Sequence, residues 1–274
     1  MTKEFDFAGL SCSLEEEGRF QLNPSTAVGL PTALVCGLAA MSYQFPEQKQ
    51  PILDALTPFQ IVSKIWSSQC VQDVMQLEDS VEHQQMIFVG SWFGQQSAMM
   101  ARWAGGYGEW TVQLVDKDLE ACRVAQTLLR TDSYHRRLQP KVVNRDIFEL
   151  TFDPGTLFVW NGLEHFESSD VEAFLEKHTE CAFVFQSTSM PANDHINLAN
   201  DISDLLTVLP TGWDDGILYK GELSTQIGSR YMMAVCGPGF VIGDQEEVTM
   251  TRSPKSVDIE EEDEDEEPPN RRGF

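Results

Sequence analysis

The sequence predicts an α/β protein: a doubly wound, mostly parallel sheet with a C-terminal antiparallel hairpin, preceded by a helical subdomain. Three observations carry this. Short apolar runs alternate with longer amphipathic ones from residue 86 to residue 209, in five β/α units. The last two apolar runs, 217–223 (ILYKGEL) and 230–236 (RYMMAVC), are joined by a short connection, as in a hairpin. Upstream, residues 23–79 show helical rather than alternating patterning.

In chain order, residues 1–22 are mixed and weakly patterned. Asn23-Pro24-Ser25-Thr26 reads as a helix start, with a capping residue before proline, and 30–41 is rich in Ala, Leu and Val. Thr57-Pro58 opens a second helix, in which Phe59, Val62, Ile65 and Trp66 recur at helical spacing. These helices are expected either to cover the ligand site or to pack on one edge of the sheet. Strands follow at 86–90 (MIFVG), 111–116 (TVQLVD), 141–144 (KVVN), 156–160 (TLFVW) and 181–186 (CAFVFQ), with helices at 96–103, 119–129, 171–178 and 195–209. The expected organisation is a helical subdomain over 1–80, a Rossmann-like domain over 81–240 and an acidic tail over 241–274.

Composition narrows the function classes. An apolar share of 42% over 274 residues suffices for a full core, and no run approaches the ~18 apolar residues of a membrane span. The N-terminal segment has no basic stretch followed by an apolar one, so a secretory signal is not expected and the cytoplasm is (a host's, were the chain phage-encoded). Six cysteines lie far apart, with no CxxC pair and no Cys/His cluster at metal spacing, which disfavours a zinc site or a disulfide framework. Net charge is −24; residues 258–274 hold nine acids and two arginines, a local −7 that leaves −17 for the remainder. A body this acidic repels phosphate backbones and favours small molecules or proteins as substrates. The tail segment IEEEDEDEE cannot bury a core and is expected to be disordered, free in solvent or bound to a basic protein surface.

The candidate site residues lie where strands end. In Val89-Gly90-Ser91-Trp92-Phe93-Gly94, glycines let backbone approach a ligand, and the following helix offers free N–H groups. Trp92 stands where a dinucleotide fingerprint has its second glycine and would crowd a pyrophosphate. Asp116 ends the second strand, 22 residues after Gly94, and is placed to accept both hydroxyls of a ribose; Asp118 reads as a helix cap. After the third strand, Asp146 and the backbone N–H of Ile147 suit an adenine edge. After the fourth come Asn161, Glu164 and His165, suited to orienting a nucleophile or accepting a proton. Gln186, Ser187 and Thr188 end the fifth strand and, with Asn193, Asp194 and His195 beyond it, are expected to face the same crevice, His195 either pairing with Glu164 or positioning substrate.

Together, VGSWFG, LVDKD, WNGLEHF, FQS with DHIN, and RYMMAVCG resemble a group of class I S-adenosylmethionine (SAM) methyltransferase-like proteins common in bacteriophage genomes. The matching residues are Gly90, Ser91, Trp92, Gly94, Asp116, Asn161, Glu164, His165, Gln186, Ser187, His195 and Asn197, within roughly 86–237. The resemblance implies a Rossmann-like fold whose sheet ends in an antiparallel hairpin, which an ordinary dinucleotide dehydrogenase lacks. It also implies SAM as cofactor, for which the matched Gly90, Ser91, Trp92, Gly94 and Asp116, together with Asp146 and Ile147 from the end of the third strand, are the candidate contacts. The sequence departs from standard methyltransferases at the end of the first strand, where Ile87-Phe88-Val89 supplies no acid for the methionine ammonium. The Asn-Pro-Pro-Tyr motif of amino-methylating DNA enzymes is also absent.

The expectation is a SAM-dependent methyltransferase acting on a small molecule or protein. The rival expectations are a catalytically inactive binding or assembly protein working partly through its tail, and a phage enzyme of nucleotide or nucleic-acid modification.

Overall fold

The computed structural model describes residues 3–7, 10–14, 19–22, 32–75, 84–103, 110–131, 139–192, 194–225 and 228–241. The helix start at Asn23, the Asn193 cap and nearly all of the acidic tail lie outside them. The described strands form one ten-stranded sheet, built from β1 (Lys3–Phe7), β2 (Leu10–Leu14), β3 (Arg19–Leu22), β4 (Gln85–Val89), β5 (Thr111–Asp116), β6 (Lys141–Asn144), β7 (Leu157–Trp160), β8 (Ala182–Thr188), β9 (Ile217–Thr225) and β10 (Gly228–Cys236). Their order is β1-β2-β3-β9-β10-β8-β7-β4-β5-β6.

The strands β6, β5, β4, β7 and β8 are parallel, as alternation with helices demands. β10 runs antiparallel between β8 and β9, so the expected hairpin closes one side of the parallel block. The strands β1, β2 and β3, in a segment where no element was expected, pair antiparallel in succession and join β9 through a parallel pairing of β3.

Among the described residues seven α-helices accompany the sheet: α1 (Thr32–Gln44), α2 (Lys49–Ala55), α3 (Pro58–Met75), α4 (Gln95–Trp103), α5 (Leu119–Thr131), α6 (Ser168–Lys177) and α7 (Ile202–Leu206). α3 begins at the expected Thr57-Pro58, where the Thr57 hydroxyl accepts the Gln60 N–H. None of the described helices is long and apolar enough to cross a membrane.

Two-residue periodicity divides the core between the faces of the sheet. Met86, Phe88, Leu114, Val159 and Val184 face a layer that includes Leu38 of α1, Ile65 and Val71 of α3, and Leu128 of α5. Ile87, Val89, Val115, Phe158, Trp160, Phe183 and Phe185 face the other, against Val171, Phe174 and Leu175 of α6. The second layer is largely aromatic: Phe158 and Phe183 stack at 5.0 Å, and Phe174 meets Phe158 edge-on at 5.2 Å. Such pairs add about 0.5–1.5 kcal/mol each beyond area burial.

One expected helix is largely absent. Residues 195–209 were to be helical, yet only α7 forms. The N–H groups of Ile196 and Asn197 go to the Glu164 carbonyl (2.8 and 3.1 Å), and that of Ala199 to the Thr188 carbonyl (3.2 Å). These tertiary acceptors hold the segment as a loop until Asp201 caps α7 through the N–H groups of Ser203 and Asp204.

The end of β10 is sterically closed. A Cβ on Gly237 would lie 2.2 Å from the Thr179 carbonyl oxygen, and the Gly237 N–H donates to the Cys181 carbonyl at 2.9 Å. Gly237→Ala is expected to lower the unfolding free energy by about 2 kcal/mol or more, since backbone must move. A urea midpoint unchanged from the parent would refute this.

Candidate functional site

A cleft with a cavity volume of about 660 Å³ opens beyond the carboxyl ends of β4, β5 and β7. The chain leaves β4 towards β5 on one side and later returns to β7 on the other. The cleft therefore sits at the topological switch point, where open α/β sheets bind ligands.

The loop between β4 and α4 lines the cleft. Gly90, Trp92 and Gly94 all take left-handed backbone conformations, with φ of +57°, +51° and +68°. Trp92 thus replaces the second glycine of the fingerprint in residue type but keeps the glycine conformation, at a cost of roughly 1–2 kcal/mol for an L-residue. Its ring stacks on Phe93 at 4.7 Å, and its N–H donates to Asp116 Oδ2 at 2.8 Å. Gly94 donates its N–H to the Ser91 carbonyl, closing a tight turn, and accepts the Ala98 N–H at the start of α4. The Ser91 hydroxyl is buried without a hydrogen-bond partner among the described residues.

Asp116 stands at the rim of the same cleft. Its Oδ1 accepts the Asp118 N–H at 2.9 Å, so both carboxylate oxygens are oriented by backbone. Burial pushes this carboxyl above its ordinary pKa, and the bonds from Asp118 and Trp92 pull it back. Asp118 caps α5 through the Glu120 N–H, the capping role expected of it. Beyond β6, Asp146 accepts the Phe148 N–H and opens a short turn at Ile147; both residues line the cleft.

α3 supplies a floor that the sequence reading did not assign. Gln60, Lys64 and Ser67 follow one another at i, i+4 and i+7, on one face of α3. Gln60 and Lys64 line the cleft. The Ser67 hydroxyl donates to Asn161 Oδ1 at 2.8 Å and accepts from Gln96 Nε2 at 3.0 Å, while Asn161 Nδ2 donates to Gln96 Oε1. Asn161 is thereby locked between α3 and α4.

Glu164 is almost wholly buried and pairs with Arg230 rather than with His195, whose pairing with it was one of two expected roles. Arg230 Nη1 donates to Glu164 Oε1 at 3.0 Å, with side chains 4% and 2% exposed. The guanidinium also lies 5.1 Å from the Phe59 ring centroid. Lys64, partly exposed by surface area but deep in the cleft, has its amine pulled down to about 7. Burial does most of this and Arg230 adds to it, against the opposing charge of Glu164. His165 and His195 meet edge-on at the cleft wall, ring centroids 4.9 Å apart.

The fold thus gathers Gly90, Trp92, Asp116, Asp146, Ile147, Asn161, Glu164, His165 and His195 around one cleft. Gln186 points elsewhere: its Nε2 donates to the Ser63 carbonyl at 2.9 Å inside the core. Ser187 is buried, its hydroxyl without a hydrogen-bond partner among the described residues. Asn197 contributes its backbone N–H to the Glu164 carbonyl. Lys64 and Arg230 were missed. For Lys64 a signal existed in the polar stripe of α3, whereas Arg230 begins an apolar strand run and shows its partner only in the fold.

No protein-family model matches the chain, and no curated protein matches it. Solved structures do. The magnesium protoporphyrin IX methyltransferase of Synechocystis PCC 6803, crystallised with bound S-adenosylhomocysteine (SAH), is 15% identical. The match covers 73% of this chain and 100% of that one, with a TM-score of 0.50. A SAM-dependent methyltransferase from Leishmania major is 10% identical over 74% of this chain and 81% of that one, with a TM-score of 0.49. The first of these likenesses, with the order β6-β5-β4-β7-β8-β10-β9 and the antiparallel β10, shows that the chain has the Rossmann-like fold of class I SAM-dependent methyltransferases.

Proposed function

We propose that this chain is a SAM-dependent methyltransferase acting on a small molecule or a protein. The observation that carries the reading is the juxtaposition, at the switch point, of the left-handed loop 90–94 with the Asp116 carboxylate. The cleft fits the cofactor. Its volume of about 660 Å³ lies within the usual range for small-molecule sites. Each Asp116 oxygen has used one acceptor position on a backbone N–H and keeps another for a ribose hydroxyl. Asp146 and Ile147 stand at the adenine end, and the orphan Ser91 hydroxyl lies in the loop between. β4 brings no acid to the cleft, and Asp54 of α2, which does line it, is the candidate partner for the methionine ammonium.

Bound SAM would supply an electrophilic methyl group for in-line displacement, a reaction that needs alignment more than acid–base power. Asn161 is suited to that task. Ser67 and Gln96 hold its amide plane, and its second Nδ2 hydrogen is left for an acceptor. Glu164, His165 and His195 form the wall of the cleft that an acceptor would meet. The charge of −24 disfavours a polyanionic acceptor.

Calorimetric titration of SAM and SAH into the purified chain tests the reading. Micromolar binding is expected, weakened at least tenfold in Asp116→Ala. Absence of binding up to millimolar SAM would end the proposal.

A further inference from the structure

We propose that Glu164, His165 and His195 form a binding site for a divalent transition-metal ion at the wall of the cleft. One potential ligand atom from each residue lies within 4.8 Å of the others. Two imidazoles and one carboxylate are the donor set of zinc and non-haem iron(II) centres that keep a coordination position open.

The protonation geometry supports the set. Nδ1 of His195 lies 2.7 Å from the Met190 carbonyl oxygen, which only accepts. That nitrogen therefore carries the ring proton, and Nε2 keeps its lone pair. Nδ1 of His165 lies 3.3 Å from both the carbonyl and the Oδ2 oxygens of Asp194, so the same tautomer is favoured there. An imidazole held through one nitrogen by a carbonyl or carboxylate, with the other free, is the usual state of a metal-ligating histidine.

Glu164 provides the independent sign of a missing partner. Its side chain is 2% exposed, and while Oε1 takes the Arg230 guanidinium, Oε2 has no hydrogen-bond partner among the described residues. A carboxylate oxygen buried without a partner is costly, and a bound cation removes that cost. Tetrahedral sites hold their ligand atoms roughly 3.4 Å apart. A bound ion would therefore draw the three ligand atoms closer together, and His165, 41% exposed, is the most exposed of the three residues. Arg230 and Lys64 are the neighbouring cations, opposed by Glu164 and by Asp194. Three protein ligands leave room for a water or for an oxygen of the substrate, which the ion would polarise.

The site does not depend on the cofactor reading, because it can be tested without SAM. Cobalt(II), titrated into the metal-free full-length chain at pH 7.5, is the probe. One equivalent is expected to bind with the intense visible absorption of a low-coordinate imidazole site, which the oxygen-only acids of the tail cannot produce. His165→Ala and His195→Ala should each weaken binding by more than the roughly 10–100-fold that loss of an outer-shell partner costs. Glu164→Gln is avoided, because it would leave Arg230 buried without its counter-charge. Metal-free circular dichroism melts check that the variants fold. Should His195→Ala unfold, the half-exposed His165 decides alone. No visible band in the parent chain, or an equal band in the folded variants, would overturn the site.

Discussion

Arg230→Ala is expected to lower the free energy of unfolding by about 3–5 kcal/mol, among the largest effects of any single substitution here. The reason is asymmetric. The pair with Glu164 is nearly sealed from water, at 4% and 2% side-chain exposure, so removing one partner strands a charge in a low-dielectric interior. The guanidinium also covers the Phe59 ring, and that contact is lost with it. The pair itself contributes far less than its rupture costs, because desolvating two ions offsets most of their attraction. The double change Glu164→Leu with Arg230→Met should therefore recover most of the stability. Urea denaturation of the parent, the single variants and the double variant forms the cycle. A loss under about 1 kcal/mol in Arg230→Ala, or a double variant as weak as the single one, would show that the charges are not sealed from solvent. Retaining an expensive buried pair at the base of the cleft is consistent with a role in holding Glu164 where a ligand can reach it.

Lys64→Met should stabilise the protein at neutral and lower pH, and the gain should vanish as the pH rises. Lys64 in the folded chain is pulled down to about 7 from its unfolded value of 10.5. Below pH 7 both states carry the proton, and folding bears the full cost of burying the charge. Between about 7 and 10.5 the folded chain has lost a proton that the unfolded chain retains, so stability rises with pH. The Met variant has no such cost. In chelator-treated protein it should be about 2–3 kcal/mol more stable at pH 6, a figure set below the full linkage value because Lys64 is partly exposed. The gap should narrow steadily by pH 9.5. A constant difference between the two proteins across that range would mean that Lys64 stays ordinarily charged. A neutral amine here would leave an acceptor site with less positive charge than the sequence suggests.

Much of this architecture can be read from the linear chain, for a physical reason. Strand and helix periods, the proline that opens α3 and the turn glycines are local properties, expressed within a few residues. Hence β4 to β10, with α4, α5 and α6, stand within a few residues of their expected places. Gly90 and Gly94, expected to let backbone approach a ligand, lie in the loop that lines the cleft and take left-handed conformations. Asp116 reaches the cleft because the end of a parallel strand is fixed once the strand is known. Short-range signals fail where distant acceptors compete. Residues 195–201 have a helical pattern, but the Glu164 and Thr188 carbonyls capture their amides. The strands β1 (KEFDF), β2 (LSCSL) and β3 (RFQL) do alternate apolar and polar residues, a short-range signal that the sequence reading did not assign, but only the pairing of β3 with β9 places them in the sheet.

The site divides along the same line. Residue types and strand ends determined which side chains would approach a ligand: Gly90, Trp92, Asp116, Asn161, Glu164, His165 and His195. Only the tertiary structure decided what those side chains do. Asn161 meets Ser67 across 94 residues of chain, and Glu164 meets Arg230 across 66. His195 reaches the Glu164–His165 pair only because the 195–201 loop is held open. Pairings over such separations depend on where the sheet places its ends. No local spacing encodes them, so the charges and candidate ligands of the cleft acquire their chemistry only once the chain has folded.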